Sequence, residues 1–208
     1  MYLSRLILDP RSRRTQSELT SPYELHRTLL RAFPDDLTEE RVLFRVDIDR
    51  RTGAPTVLVQ SQGPPDWSFL SGTKGYLLDG AAEDNPAHKE VTLRLQAGQV
   101  LAYRLRANPT VKRDGKRLGL FDEQDQLDWL RRKAEQGGFR LLSAAATPEG
   151  FSGSRKRASA GAGDISHYAV RFDGHLQVLD PALLHETIAA GIGPAKGFGF
   201  GLLSLAKA

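Results

Sequence analysis

Two stretches of this chain run through the same succession of hydrophobic periods, and that recurrence limits the folds open to it. In the first, Tyr2-Leu3-Ser4-Arg5-Leu6-Ile7-Leu8 reads as a strand and Ser21 to about Phe33 as a helix. Val42 to Ile48 alternates with 42, 44, 46 and 48 apolar, and a turn at Thr52-Gly53-Ala54-Pro55 leads into Thr56 to Ser61, so this pair reads as a hairpin. Asp66 to Leu70 reads as a short helical turn. Residues 71–90, with Gly72, Gly75, Gly80 and Asn85-Pro86, read as a linker holding a weak strand at Tyr76-Leu77-Leu78. In the second stretch Gln99 to Ala107 is a strand, Asp122 caps a helix to about Gln136, and Gly137-Gly138 stops it. Phe139 to Leu142 starts a strand, a loop covers Thr147 to Asp164, and a strand pair follows at His167 to Phe172 and His175 to Leu179. Asp180-Pro181 opens a helix to about Ala190, and Gly201 to Leu205 is a last strand. The expected fold is α+β: two tandem ferredoxin-like (βαββαβ) domains, RNA-recognition-like, at residues 1–88 and 96–208.

The first helix has the best-defined start. Ser21 suits the N-cap, Pro22 the N1 position, and Glu24 at N3 completes a capping box. Leu25, Leu29, Ala32 and Phe33 share an arc that should face a core. Tyr23, His26, Arg27 and Arg31 share the other, at three- and four-residue spacings. A phenol, an imidazole and two guanidiniums then lie near a helix N-terminus, which favours an anion. A phosphodiester is such an anion, and these groups can move protons and stabilise charge while one is cut. An ordinary polar helix face accounts for the same residues, and the spacing alone leaves both readings open.

Composition narrows the class. The chain has 208 residues, enough to bury a core in one large domain or two small ones. With no cysteine it can form no disulfide, thiolate metal site or cysteine nucleophile, which fits a cytoplasmic life. No apolar run reaches the ~18 residues of a membrane span, and the N-terminus does not read as a secretory signal. The net charge is only +4, but the basic residues are clustered and the pI is near 9.5, so an acidic partner such as nucleic acid is expected.

Three stretches carry that expectation. Arg104 to Arg117 holds Arg104, Arg106, Lys112, Arg113, Lys116 and Arg117 around an Asp114-Gly115 turn, a density suited to phosphates or to a solvated hairpin. Arg155-Lys156-Arg157 sits among small residues and reads as a basic finger or as a segment without a role. Gly191 to Gly201 is glycine-rich with Lys196, and its backbone can approach phosphates closely. It is no P-loop, since no Gly-Lys-Ser/Thr occurs, and too few residues follow it for a dinucleotide-binding unit. Phe198 and Phe200 suit packing better than base stacking.

Taken together, YLSRLILDP, SPYELHRTL, VLVQS followed by PDWS, RLRANPT with the following basic residues, GGFRLL and the terminal GIGPAKGFGFGLLSL resemble the CasE-type CRISPR RNA endoribonucleases, in the family's order and over nearly the whole chain. SPYELHR with RANP is the specific pair; the glycine-rich end marks only the wider superfamily. The resemblance implies a metal-independent endoribonuclease without cofactor. It would cleave precursor CRISPR RNA at repeat stem-loops to a 5′-OH and a 2′,3′-cyclic phosphate, then stay on the mature guide RNA with other Cascade subunits. It implies His26, Tyr23 and Arg27 as catalytic, with His26 as either base or acid. The RNA-binding set is Arg31, Arg104, Arg106, Asn108, Lys112, Arg113, Lys116, Arg117, Arg155, Lys156, Arg157, Lys196, Gly197 and Gly199. The alternative is a catalytically silent RNA-binding scaffold of the same ribonucleoprotein; His88, His167, His175 and His185 read as structural or surface residues in either case.

Overall fold

A computed structural model of the protein describes residues 1–34, 41–81, 84–154 and 165–208. One unit is built on Met1–Thr92 and takes in Gly197–Gly199; the other is built on Leu93–Ser152, Ser166–Lys196 and Phe200–Ala208.

In the first unit the order is β1 (Tyr2–Ile7), α1 (Arg13–Thr20), α2 (Pro22–Leu30), β2 (Leu43–Ile48), β3 (Pro55–Ser61), a 3-10 turn at Ser68–Leu70, and β4 (Ala87–Glu90). Among the described residues these strands form one sheet in the order β2-β3-β1-β4, every pair antiparallel. That is the ferredoxin-like order. Alternation on β2 and β3 turns Phe44, Val57 and Val59 into a core that Leu25, Leu29, Ala32 and Phe33 of the α2 segment cover. A fully buried leucine contributes about 1.5–3 kcal/mol, so Leu25 and Leu29 alone go far toward holding α2 on the sheet. After Leu30 the turn tightens, with Ala32 and Phe33 donating to Leu29 and Leu30, before Pro34 ends it.

Three features of this unit depart from the sequence reading. The sequence reading has no helix between the Tyr2–Leu8 strand and Ser21, yet Arg13 and Arg14 open α1, with Ser12 as its N-cap. That helix has no apolar stripe; a buried polar clasp holds it instead. Glu18 accepts from Arg14 Nε (2.8 Å), the Thr28 hydroxyl (2.7 Å) and the Tyr76 hydroxyl, and Arg14 also reaches Thr28 Oγ1. Second, the described residues of 71–90 are part of the fold. Tyr76 is fully buried, Leu77 only bridges Leu8, and the edge strand is Ala87–Glu90. Asn85 prepares that edge by bonding both backbone groups of Ile7 through its side chain. Third, Ser21 makes no side-chain cap and Glu24 pairs with Arg27, so the capping box is not formed. Ser21 also ends α1, its N–H donating to Ser17 and Glu18, and that double duty fixes its backbone away from ordinary N-cap angles.

The second unit runs β5 (Val100–Ala107), β6 (Thr110–Arg113), β7 (Lys116–Gly119), α3 (Glu123–Gln136), β8 (Phe139–Ser154), β9 (Ile165–Val178), α4 (Pro181–Ala190) and β10 (Leu203–Lys207). Its sheet order, β10-β5-β9-β8, is again ferredoxin-like, so the chain is α+β with two tandem ferredoxin-like domains. Asp122 caps α3 by accepting from Gln124 and Asp125 N–H, and Asp180 caps α4 through Leu183 N–H. β6 and β7 form a separate two-stranded ladder turning at Asp114-Gly115, both with positive φ, as a type I′ turn requires.

Two expected breaks here are absent. Residues 147–154 continue β8, and Gly174 lies inside one strand, β9, whose ladder with β5 runs on through Tyr103↔Gly174 and Ala102↔His175. Asp173-Gly174 resembles a turn, but this glycine serves a close approach: a Cβ there would stand 2.1 Å from the Ser143 carbonyl oxygen.

Candidate functional site

α2 presents Tyr23, His26 and Arg27 on its outer arc. Tyr23 and Arg27 are exposed; His26 is half-buried, its ring stacked on Phe44 of β2 at 5.7 Å between centroids and 13° between planes. Gly197–Gly199 closes the other side. A Cβ on Gly197 would lie 3.2 Å from His26 Cδ2, and one on Gly199, at φ +81, 3.0 Å from the Phe44 ring. Phe198 sets its ring 6.1 Å from that of Tyr23. The imidazole is therefore slotted between an aromatic floor and a bare backbone wall.

Its electrostatics follow from that slot. His26 Nδ1 is buried with no hydrogen-bond partner among the described residues. Burial pushes its pKa below the ordinary histidine value, because a partly desolvated imidazolium is disfavoured and no carboxylate compensates. The ring is neutral at neutral pH and can accept a proton. Arg27 reaches Glu24 at 3.1 Å in an exposed ion pair, worth only ~0.2–1 kcal/mol, so a phosphate can draw the guanidinium away. Arg31 lies further along, its guanidinium 4.5 Å from the centre of the Phe69 ring. Among the described residues no three His, Asp or Glu side chains gather as a metal-ligand set.

The remaining expected contacts belong to the second unit. Arg104 pairs with Asp173 (2.6 Å) and Arg106 with Glu149 (2.7 Å), while Arg171 reaches both carboxylates. Arg106 also lies over Phe200. Much of this positive charge is neutralised within the sheet. Asn108 is buried and bonded to His167 Nδ1 at 3.1 Å, which keeps its amide inside rather than on display. Lys112, Arg113, Lys116 and Arg117 are all exposed on the β6–β7 hairpin. Lys112, Arg117 and Lys196 line one cleft with Lys133 of α3. Arg155, Lys156 and Arg157 lie outside the described residues.

The structure thus brings together Tyr23, His26, Arg27, Gly197 and Gly199, and separately Lys112, Arg117 and Lys196. Phe44 and Lys133 escaped sequence reasoning. Alternation marks Phe44 as buried but not as the ring under His26, and Lys133 reads as an ordinary last-turn lysine.

A sequence profile described as "CRISPR associated protein" matches residues 1–207. The CRISPR-associated endoribonuclease Cse3 of Thermus thermophilus is 39% identical over 99% of this chain and 100% of its own length. The chain belongs to the CasE type of CRISPR-associated proteins. A second CasE-type relative, the CRISPR system Cascade subunit CasE of Escherichia coli, is 32% identical over 99% of both chains. A solved structure, the CRISPR endoribonuclease Cse3 bound to 19 nt RNA, superposes with a TM-score of 0.88 at 38% identity, over 99% of this chain and 100% of that one. The CasE-type helix with Tyr23, His26 and Arg27 therefore stands in a domain pair shared with relatives along their whole length.

Proposed function

We propose that this CasE-type chain is an endoribonuclease that cuts precursor CRISPR RNA within its repeat hairpins, needs no metal ion, and remains on the guide RNA with other Cascade subunits in the cytoplasm. The relatives' names and the RNA seated on one of them support the substrate class. The catalytic domain is the N-terminal one, residues 1–88, and the basic loops of residues 96–208 grip RNA. No helix of the described residues is long and apolar enough to cross a membrane.

One arrangement carries the chemistry: an imidazole fixed by Phe44 and Gly197 on the same helix face as the Tyr23 phenol, its Nδ1 buried without a partner among the described residues and its pKa lowered by burial. In the reaction the ribose 2′-oxygen bonds to the adjacent phosphorus while its proton passes to His26 Nε2. The bond from phosphorus to the 5′-oxygen breaks, and that oxygen takes a proton from water, leaving a 2′,3′-cyclic phosphate and a 5′-OH. Tyr23 donates to the phosphorane oxygens, and Arg27, released from Glu24, stabilises their charge.

The test is cleavage of the repeat hairpin in EDTA, beside His26→Ala. A positioned general base is worth about 10²–10⁴ in rate, so that variant should bind RNA and lose cutting by this factor. Binding without cleavage by the native protein would leave only the scaffold reading.

A further inference from the structure

In the second unit Lys112 and Arg117 of the hairpin, Lys133 of α3 and Lys196 surround one cleft of about 480 Å³. Thr110 and Thr187 add hydroxyls, and no Asp or Glu is among the described residues that line it. The simplest structural account is that lysines here offset helix ends, since α3 and α4 both finish at the cleft and Lys133 stands in the last turn of α3. The magnitudes do not balance. Two helix C-termini supply roughly −0.5 charge each, against the whole positive charges of Lys112, Arg117 and Lys133 even with Lys196 left out. The hairpin adds to the excess, because Lys112 sits directly opposite Arg117 in the ladder, a like-charge pairing that weakens strand association and that a bound anion would offset. Among the described residues Lys133 donates to the neutral Gln136 side chain, at 3.0 Å, and pairs with no carboxylate.

We propose that this cleft binds phosphodiesters of the single-stranded RNA flanking the repeat hairpin, with Lys133 as a contact residue. The proposal rests on the endoribonuclease reading. Shape selects the single strand: a cleft of this volume falls in the range that accepts small ligands, about one or two nucleotides, and the body of a duplex cannot enter it. Duplex RNA is read over wide, shallow surfaces, for which the projecting face of the hairpin is better suited.

The experiment measures binding of two repeat hairpins, one with its single-stranded flanks and one trimmed to the stem-loop, over a salt series. Proteins are native, Lys133→Gln and Lys133→Arg. For the flanked RNA, Lys133→Gln should lower the slope of log affinity against log salt by about 0.7, the contribution of one single-strand phosphate contact. Lys133→Arg should keep the native slope, which separates lost charge from a disturbed helix. On the trimmed hairpin all three proteins should coincide. An unchanged slope on flanked RNA, or an equal loss on the trimmed hairpin, would overturn the cleft. Native protein that bound neither RNA would overturn the endoribonuclease reading, and the cleft with it.

Discussion

The Tyr76 hydroxyl donates to Glu18 Oε2 at 2.5 Å, tying α1 to a loop residue far along the chain through a buried contact. Burial first, and the Glu18 carboxylate next, push the phenol far above its usual pKa, so it stays a donor at every working pH. Thr28, which shares Glu18 with it, stands half a turn beyond His26 on α2. Removing the donor by Tyr76→Phe leaves a buried carboxylate lone pair unmet and should lower stability by about 1–3 kcal/mol. Glu18→Ala strands Arg14, Thr28 and Tyr76 together and should cost more. Urea midpoints at constant slope measure both losses.

If His26 takes the proton as proposed, the pH dependence of cutting should follow its titration. Burial lowers its pKa, so the neutral base persists below pH ~6.5, the ordinary histidine value. The acid limb of kcat/KM, which reports the free protein, should therefore fall below that value. A profile that instead declines as pH rises through the neutral range would make His26 the acid. Stability carries the same sign. His26 and His167, both lowered by burial, contribute stability that is complete above ~6.5 and is lost as pH falls through their folded values. Denaturant midpoints between pH 7 and 5 should drop, and drop less in His26→Leu.

Gly197→Ala puts a methyl 3.2 Å from His26 Cδ2, tight enough to displace the ring by tenths of an ångström. Misplacement on the 1 Å scale can cost about 10² in rate, so cleavage should fall at least tenfold with RNA affinity retained. Gly199→Ala adds the strain of φ +81 to a 3.0 Å approach to Phe44, and should also lower stability by about 1–2 kcal/mol. Single-turnover cleavage and thermal melts separate the two effects.

Gly174→Ala tests the unbroken strand. Its Cβ would sit 2.1 Å from the Ser143 carbonyl oxygen, so β8 and β9 must part locally. A loss of about 3 kcal/mol is expected, with hydrogen exchange rising at Ser143 and His175, which are bonded to each other there. A glycine in a turn would accept the change with little loss.

How far the sequence could be read depended on where each signal lay. β2, β3 and β5 show their alternation, α3 and α4 their capping aspartates, and the α2 arcs their spacing, because all of these are local. α1 was missed because polar groups hold it, and Glu18 finds Thr28 and Tyr76 only in three dimensions. β4 was missed because Ala87-His88-Lys89-Glu90 is an exposed edge with no apolar face. At the site, Tyr23, His26 and Arg27 were legible as one helix face. Phe44 beneath the imidazole and Gly197 beside it come from distant sequence and leave no periodic trace.

The wall that Gly197–Gly199 adds to the first unit has a consequence in time as well as in space. Domains form from the N-terminal side as a chain is synthesised at about 5–20 residues per second. α2 and Phe44 can assemble long before the glycine-rich loop leaves the ribosome, and until then the imidazole has a floor but no wall. The slot around His26 is therefore finished last, although its helix and its floor are among the first parts of the chain to be made.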